Sequence, residues 1–141
     1  VGLLTYSLLD GNEIKLLNGE VDLNYGAIYE NVVAQELKAH CFDLYYHNSK
    51  KNGEIDFIVQ KREEILPIEV KSGKYYKMHN ALNTLLINSD YKIKEGYILC
   101  NDNVQIEGNK IYLPIYMMMF FDNQRHYDEK QIVDIDLKGL I

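Results

Sequence analysis

Between Gly53 and Gly73 the chain alternates, breaks and alternates again, and that pattern leaves few folds open. Ile55, Phe57 and Val59 fall on one face of an extended segment, the charged run Lys61-Arg62-Glu63-Glu64 interrupts, and residues 65–71 resume the period of two. The spacing predicts a β-hairpin closed by a four-residue loop at 61–64. In that register Gln60 pairs with Ile65, and Asp56 stands opposite Glu69. Pro67 brings no N–H to a ladder, so it fits only near the start of its strand or at a bulge. Because strand side chains alternate, Glu69 and Lys71 share a face while Val70 turns toward the core.

Two carboxylates opposed across a hairpin repel each other. A divalent cation between them offsets the repulsion, and oxygen ligands with water suit Mg2+ or Mn2+. Such an ion polarises a phosphate and lowers the pKa of water, and a lysine beside it helps activate that water or stabilises developing charge. Standing alone, a D…E-x-K pattern is weak, since charged strand residues ordinarily line a solvated face. An ion-pair network around Lys71 would also account for it.

Upstream, residues 26–40 read as a helix, with Ile28, Val32, Val33 and Leu37 on one side and Asn24 as its cap. At about 100° per residue, Glu36 falls between Val32 and Val33 near the middle of that stripe, and Glu30 lies at its edge beside Leu37. A carboxylate on an inward face needs a partner. For Glu36 that is a tyrosine hydroxyl, a lysine or a metal; for Glu30 it is water or the metal. Further strands are expected at 42–47, 96–100 and 111–115, and a helix buries Met78, Ala81, Leu82, Leu85 and Leu86. A short apolar run at the start ends on the turn signal Asp10-Gly11-Asn12, and residues 13–25 are too irregular to assign. The dense apolar stretch 116–121 suits core or a docking face. After Asp122 the composition turns polar, with one strand expected at 132–137. This order of elements places the chain in the α/β (mixed α+β) class, around a mixed sheet.

The 141 residues suit one domain, placed at 1–121 with an extension at 122–141. No apolar stretch is long enough for a membrane span and no secretion signal is visible, so a soluble, cytoplasmic protein without a membrane partner is expected. Cys41 and Cys100 form no C-x-x-C pair, which argues against structural zinc and for reduced thiols. The chain opens on Val1, and a piece cut from something longer is expected. A net charge of −6 argues against bulk attraction to nucleic acid, but residues 47–80 carry seven cations against five anions and would meet an anionic partner first. Within them Lys74-Tyr75-Tyr76-Lys77 either tracks a phosphate backbone or opens an amphipathic helix. His47 and His79 flank the motif segment without completing a ligand set.

Taken together, Gly26-x-x-Tyr29-Glu30-Asn31-x-x-Ala34-x-Glu36-Leu37, then Glu54-Ile55-Asp56-Phe57, then Pro67-Ile68-Glu69-Val70-Lys71-Ser72-Gly73 resembles the domain of unknown function at the C-terminus of a large family of prokaryotic AAA-type ATPases. Val1-Gly2-Leu3-Leu4 looks like the motif that begins that domain, so the resemblance covers about residues 1–120. That domain is similar to PD-(D/E)XK nucleases, which implies a restriction-endonuclease-like fold, a central mixed sheet flanked by helices. By that resemblance Glu30, Asp56 and Glu69 match the metal positions, with Glu36 as the other helix candidate, and Lys71 matches the lysine that assists water. It implies Mg2+ or Mn2+, an N-terminal ATPase domain of the same parent protein, and DNA as a candidate partner. No Walker loop occurs in this chain, so ATP chemistry is not expected of it. A non-catalytic module that binds DNA or protein and regulates the ATPase is the alternative.

Overall fold

The computed structural model describes residues 2–18, 20, 25–50, 53–73 and 75–123. Two short helices, α1 (Gly2–Leu9) and α2 (Glu13–Leu17), precede the long helix α3 (Tyr25–Ala39). Six strands follow: β1 (Tyr45–Ser49), β2 (Gly53–Lys61), β3 (Glu64–Val70), β4 (Gly96–Cys100), β5 (Gln105–Glu107) and β6 (Lys110–Pro114). Helix α4 (Asn80–Ile87) lies between β3 and β4, and a 3-10 helix (Ile115–Phe120) follows β6. The strands form one sheet in the order β1-β2-β3-β4-β6-β5, parallel at β3–β4 and β4–β6 and antiparallel elsewhere. It is a mixed α+β fold, a mixed sheet flanked by helices, compatible with a restriction-endonuclease-like arrangement. No described helix is long and apolar enough to cross a membrane.

Strand alternation divides the core. Leu66, Ile68, Val70, Leu99 and Leu113 pack with Val33 and Leu37 of α3 and Met118 of the 3-10 helix, while Ile98, Cys100 and Tyr112 pack on the opposite face with Ala81, Leu82 and Leu85 of α4. Two glycines let α4 approach. Gly53 has φ +85°, and a Cβ there would stand 3.1 Å from the Ala81 Cβ; a Cβ on Gly96 would meet Leu82 Cδ1 at 2.7 Å.

The hairpin register is as expected, with Gln60 opposite Ile65, but its loop is only Arg62-Glu63, because Lys61 pairs with Glu64. Arg62 takes φ +57°, a conformation that a two-residue loop ordinarily assigns to glycine or asparagine. Pro67 lies in the interior of the sheet, yet pairing with β4 starts only at Ile68, so no ladder on that side needs its missing N–H.

Ile55 departs from its expected face. It packs with α4, whereas Phe57 and Val59 pack on the α3 side. The β1–β2 register explains this: from Tyr45↔Ile58 to His47↔Ile55 the chain advances two residues on β1 and three on β2. The extra residue is a β-bulge at Asp56–Phe57, which turns Ile55 over and re-aims Asp56. Other expectations shift by smaller amounts. The strand expected at 42–47 begins at Tyr45, with Phe42 buried in the core before it. Met78 is exposed ahead of α4, and residues 105–107 add an edge strand. The cap at Asn24 and the strand at 132–137 lie outside the described residues, as do the two central residues of the turn that Lys50-Lys51-Asn52-Gly53 suggests between the first two strands.

The close fit at Gly96 predicts that Gly96→Ala destabilises the chain by about 1–3 kcal/mol, since Leu82 is fully buried and must move. Chemical denaturation should show this loss, and Leu82→Val in the same chain should recover part of it.

Candidate functional site

Asp56, Glu69 and Lys71 meet at one end of the hairpin. The β2–β3 ladder ends at Phe57↔Ile68; beyond it, the Val70 N–H donates to Asp56 Oδ2 at 2.7 Å. A carboxylate thus fills the place of a ladder carbonyl. Glu69, one residue before Val70, is only 5% exposed, because β3 is an interior strand covered on both faces. Lys71 leaves the strand with its N–H donated to Leu99 O at 2.8 Å, and its Nζ pairs with Glu69 Oε1 at 2.6 Å. Glu69 Oε2 is buried without a hydrogen-bond partner among the described residues.

Burial pushes the carboxyls of Asp56 and Glu69 above their ordinary range. For Asp56 the Val70 N–H and Lys71 oppose the rise, and Glu54 adds to it. For Glu69 the Lys71 pair opposes it, and Asp56 and Glu54 add to it. Glu30 belongs to the same electrostatic group although its side chain stays accessible to water. Its carboxyl is raised by partial desolvation first, then by Asp56 and Glu54, against Lys71. Glu54 is therefore a fourth acid at the site. It stands in the motif yet carried no assigned role; strand alternation two residues before Asp56 was the signal for it.

Glu36 goes elsewhere. Six residues along α3 from Glu30 is about 9 Å along the axis and a third of a turn around it. Its side chain lines a cavity of about 700 Å³ at the ends of β4 and β6 and is not among the charges that perturb Asp56 or Glu69. Between the two places, Asn101 Nδ2 donates to Tyr29 OH at 3.3 Å and to Ser72 O at 3.2 Å, tying α3 to the residue after Lys71. His79 is buried at α4, with Nε2 3.3 Å from Tyr112 OH, and is absent from the carboxylate group.

The helix, the bulged strand and the E-x-K strand thus form one charged cluster, and a family model spans all three. It is that of a domain of unknown function, DUF4143, matched over residues 25–118. The chain belongs to the DUF4143 family. The DUF4143 match opens on the first residue of α3 and closes within the 3-10 helix, so residues 1–24, including Val1-Gly2-Leu3-Leu4, lie outside it. No curated protein and no solved structure matches the chain.

As hard oxygen donors, Asp56 and Glu69 fit a divalent cation, and the orphaned Oε2 of Glu69 is the atom such an ion would satisfy. Among the described residues no three acidic, histidine or cysteine side chains already stand close enough to hold one. Glu30 or Glu54 would have to turn inward to complete the set.

The raised carboxyl of Asp56 has a sign in stability. With a folded pKa above the unfolded one, its contribution is most favourable at acid pH and is lost as the pH rises through the folded value. Asp56→Asn, which keeps an oxygen for the Val70 N–H, should therefore raise Tm at pH 7 in chelator. The gain should shrink toward zero as the pH falls below the ordinary carboxylate range, as thermal melts across that range would show.

Proposed function

We propose that this DUF4143 domain is a metal-dependent phosphodiesterase module acting on nucleic acid, of the PD-(D/E)XK type, carried by a parent protein with an AAA-type ATPase. The observation that carries the reading is the meeting of Asp56, Glu69 and Lys71 at the bulge, with one buried carboxylate oxygen lacking a partner. Attachment to an ATPase rests on the resemblance of the Gly26–Gly73 motifs.

Asp56 and Glu69 would hold Mg2+ or Mn2+, with Glu30 assisting. Bound there, the ion supplies Lewis acidity toward a phosphate and lowers the pKa of water. The protein's own part is to hold charge in place. The Val70 N–H fixes Asp56, and the interior position of β3 fixes Glu69. The Lys71 ammonium, held beside Glu69, offers a hydrogen-bond donor and a positive charge to the incoming oxygen or the departing one. Desolvation strengthens each of these interactions relative to water.

A second reading, a non-catalytic module that binds DNA or protein and regulates the ATPase, is favoured by the absence, among the described residues, of a preassembled three-ligand group. Calorimetric titration with Mn2+ separates the two. The nuclease reading expects saturable binding that Asp56→Asn and Glu69→Gln abolish and Lys71→Ala retains. It also expects Lys71→Ala to slow cutting of a DNA oligonucleotide by about 100-fold or more. Parent-like cutting by Lys71→Ala would overturn the mechanism, and a folded parent that binds no ion would favour the regulatory module.

A further inference from the structure

The cavity of about 700 Å³ at the ends of β4 and β6 has no part in the carboxylate cluster, yet it adjoins it. Its size is that of a small-molecule site, and it opens at the C-terminal ends of two parallel strands, where α/β sheets ordinarily bind ligands. Val32, Tyr29, Tyr116 and Met119 give it flat and flexible apolar walls, and Glu36 and Asn101 give it polar ones.

The hydrogen-bond pattern says what the occupant must bring. Asn101 Nδ2 is taken by Tyr29 OH and Ser72 O, so the amide has its carbonyl left to offer. Asp102 is occupied, accepting from Tyr76 OH through Oδ2 and from the Asn103 N–H through Oδ1. The Glu36 carboxylate has no side-chain partner among the described residues. Against these acceptors stands the hydroxyl proton of Tyr29, whose oxygen accepts from Asn101. A ligand that matches is flat, apolar on its faces, and carries amino or imino donors on its edge.

We infer that this cavity receives one unstacked nucleobase bearing an exocyclic amino group, from the strand whose phosphate is read at Asp56 and Glu69. The inference rests on the phosphodiesterase reading for the strand, but the pocket's own chemistry stands apart from it. Continuity supplies the link: Tyr29 precedes Glu30, and Ser72, which Asn101 holds, follows Lys71. Stacking on tyrosine and methionine with edge contacts to Glu36 and Asn101 is how proteins hold a base taken out of its stack. A plain apolar side chain of a partner protein would leave those acceptors desolvated and unpaired.

Titration of the 15N-labelled chain with the four free nucleosides, followed by NMR, tests this without any phosphate. Adenosine, guanosine or cytidine should shift the backbone amides of Asn101, Asn103 and Met119 saturably, and uridine should bind more weakly. Tyr116→Ala, at an exposed wall, and Glu36→Gln should each weaken cytidine binding about tenfold, while Asp56→Asn should leave it unchanged. No saturable shift with any nucleoside, or an unaltered response in Tyr116→Ala, overturns the assignment. Nucleoside binding by a chain that fails to cut DNA upholds the pocket and overturns the phosphodiesterase reading alone. Cutting without nucleoside binding overturns the pocket alone.

Discussion

The hydrogen bond from the Val70 N–H to Asp56 Oδ2 joins fold and site in a single contact. A buried N–H on an interior strand must find an acceptor, and an unmade bond there costs roughly 1–3 kcal/mol. The bulge in β2 withdraws the backbone partner and supplies a carboxylate instead. The same extra residue turns Ile55 to the far face, where it completes the surface on which α4 packs. Removing the bulge would disturb the α4 core and leave Asp56 without its anchor.

The Lys71–Glu69 pair differs from the exposed ion pairs of the same chain. Two exposed pairs in the same chain, Lys94–Glu64 and Lys77–Glu107, hold their glutamates below the ordinary range. At 2.6 Å, Lys71 approaches Glu69 at least as closely as Lys77 approaches Glu107, yet the Glu69 carboxyl is raised. Burial and the acids Asp56 and Glu54 outweigh the lysine. Desolvation is the largest of these effects, and it follows from the place of Glu69 on an interior strand.

What could be read from the residues follows the length of the contacts. Asp56, Glu69 and Lys71 belong to one hairpin, and period-two alternation around a charged break was enough to align Gln60 with Ile65. The two-residue loop was hidden because Arg62 adopts a glycine-like φ without a glycine to announce it. The face of Ile55 depends on β1, a partner outside the hairpin, so no pattern within residues 55–60 could show the bulge. Phe42 looked like the start of a strand; it is a core residue placed just after Cys41, whose φ of +63° ends the helical segment. Helix α1 is apolar without a marked face, and β5 is three residues long, too short for any period.

Helix periodicity separated Glu36 from solvent but could not say which end of the sheet it meets, and that is where the reading of α3 divides. Glu30 and Glu36 both leave the same helix, one toward the carboxylate cluster and one toward the cavity, because a third of a turn around the axis and about 9 Å along it lie between them. Tyr29 stands at the division, its hydroxyl held by Asn101, which also holds the carbonyl after Lys71. One helix thus gives both places a common wall, since Tyr29 lines the cavity and Glu30, the next residue, belongs to the carboxylate group.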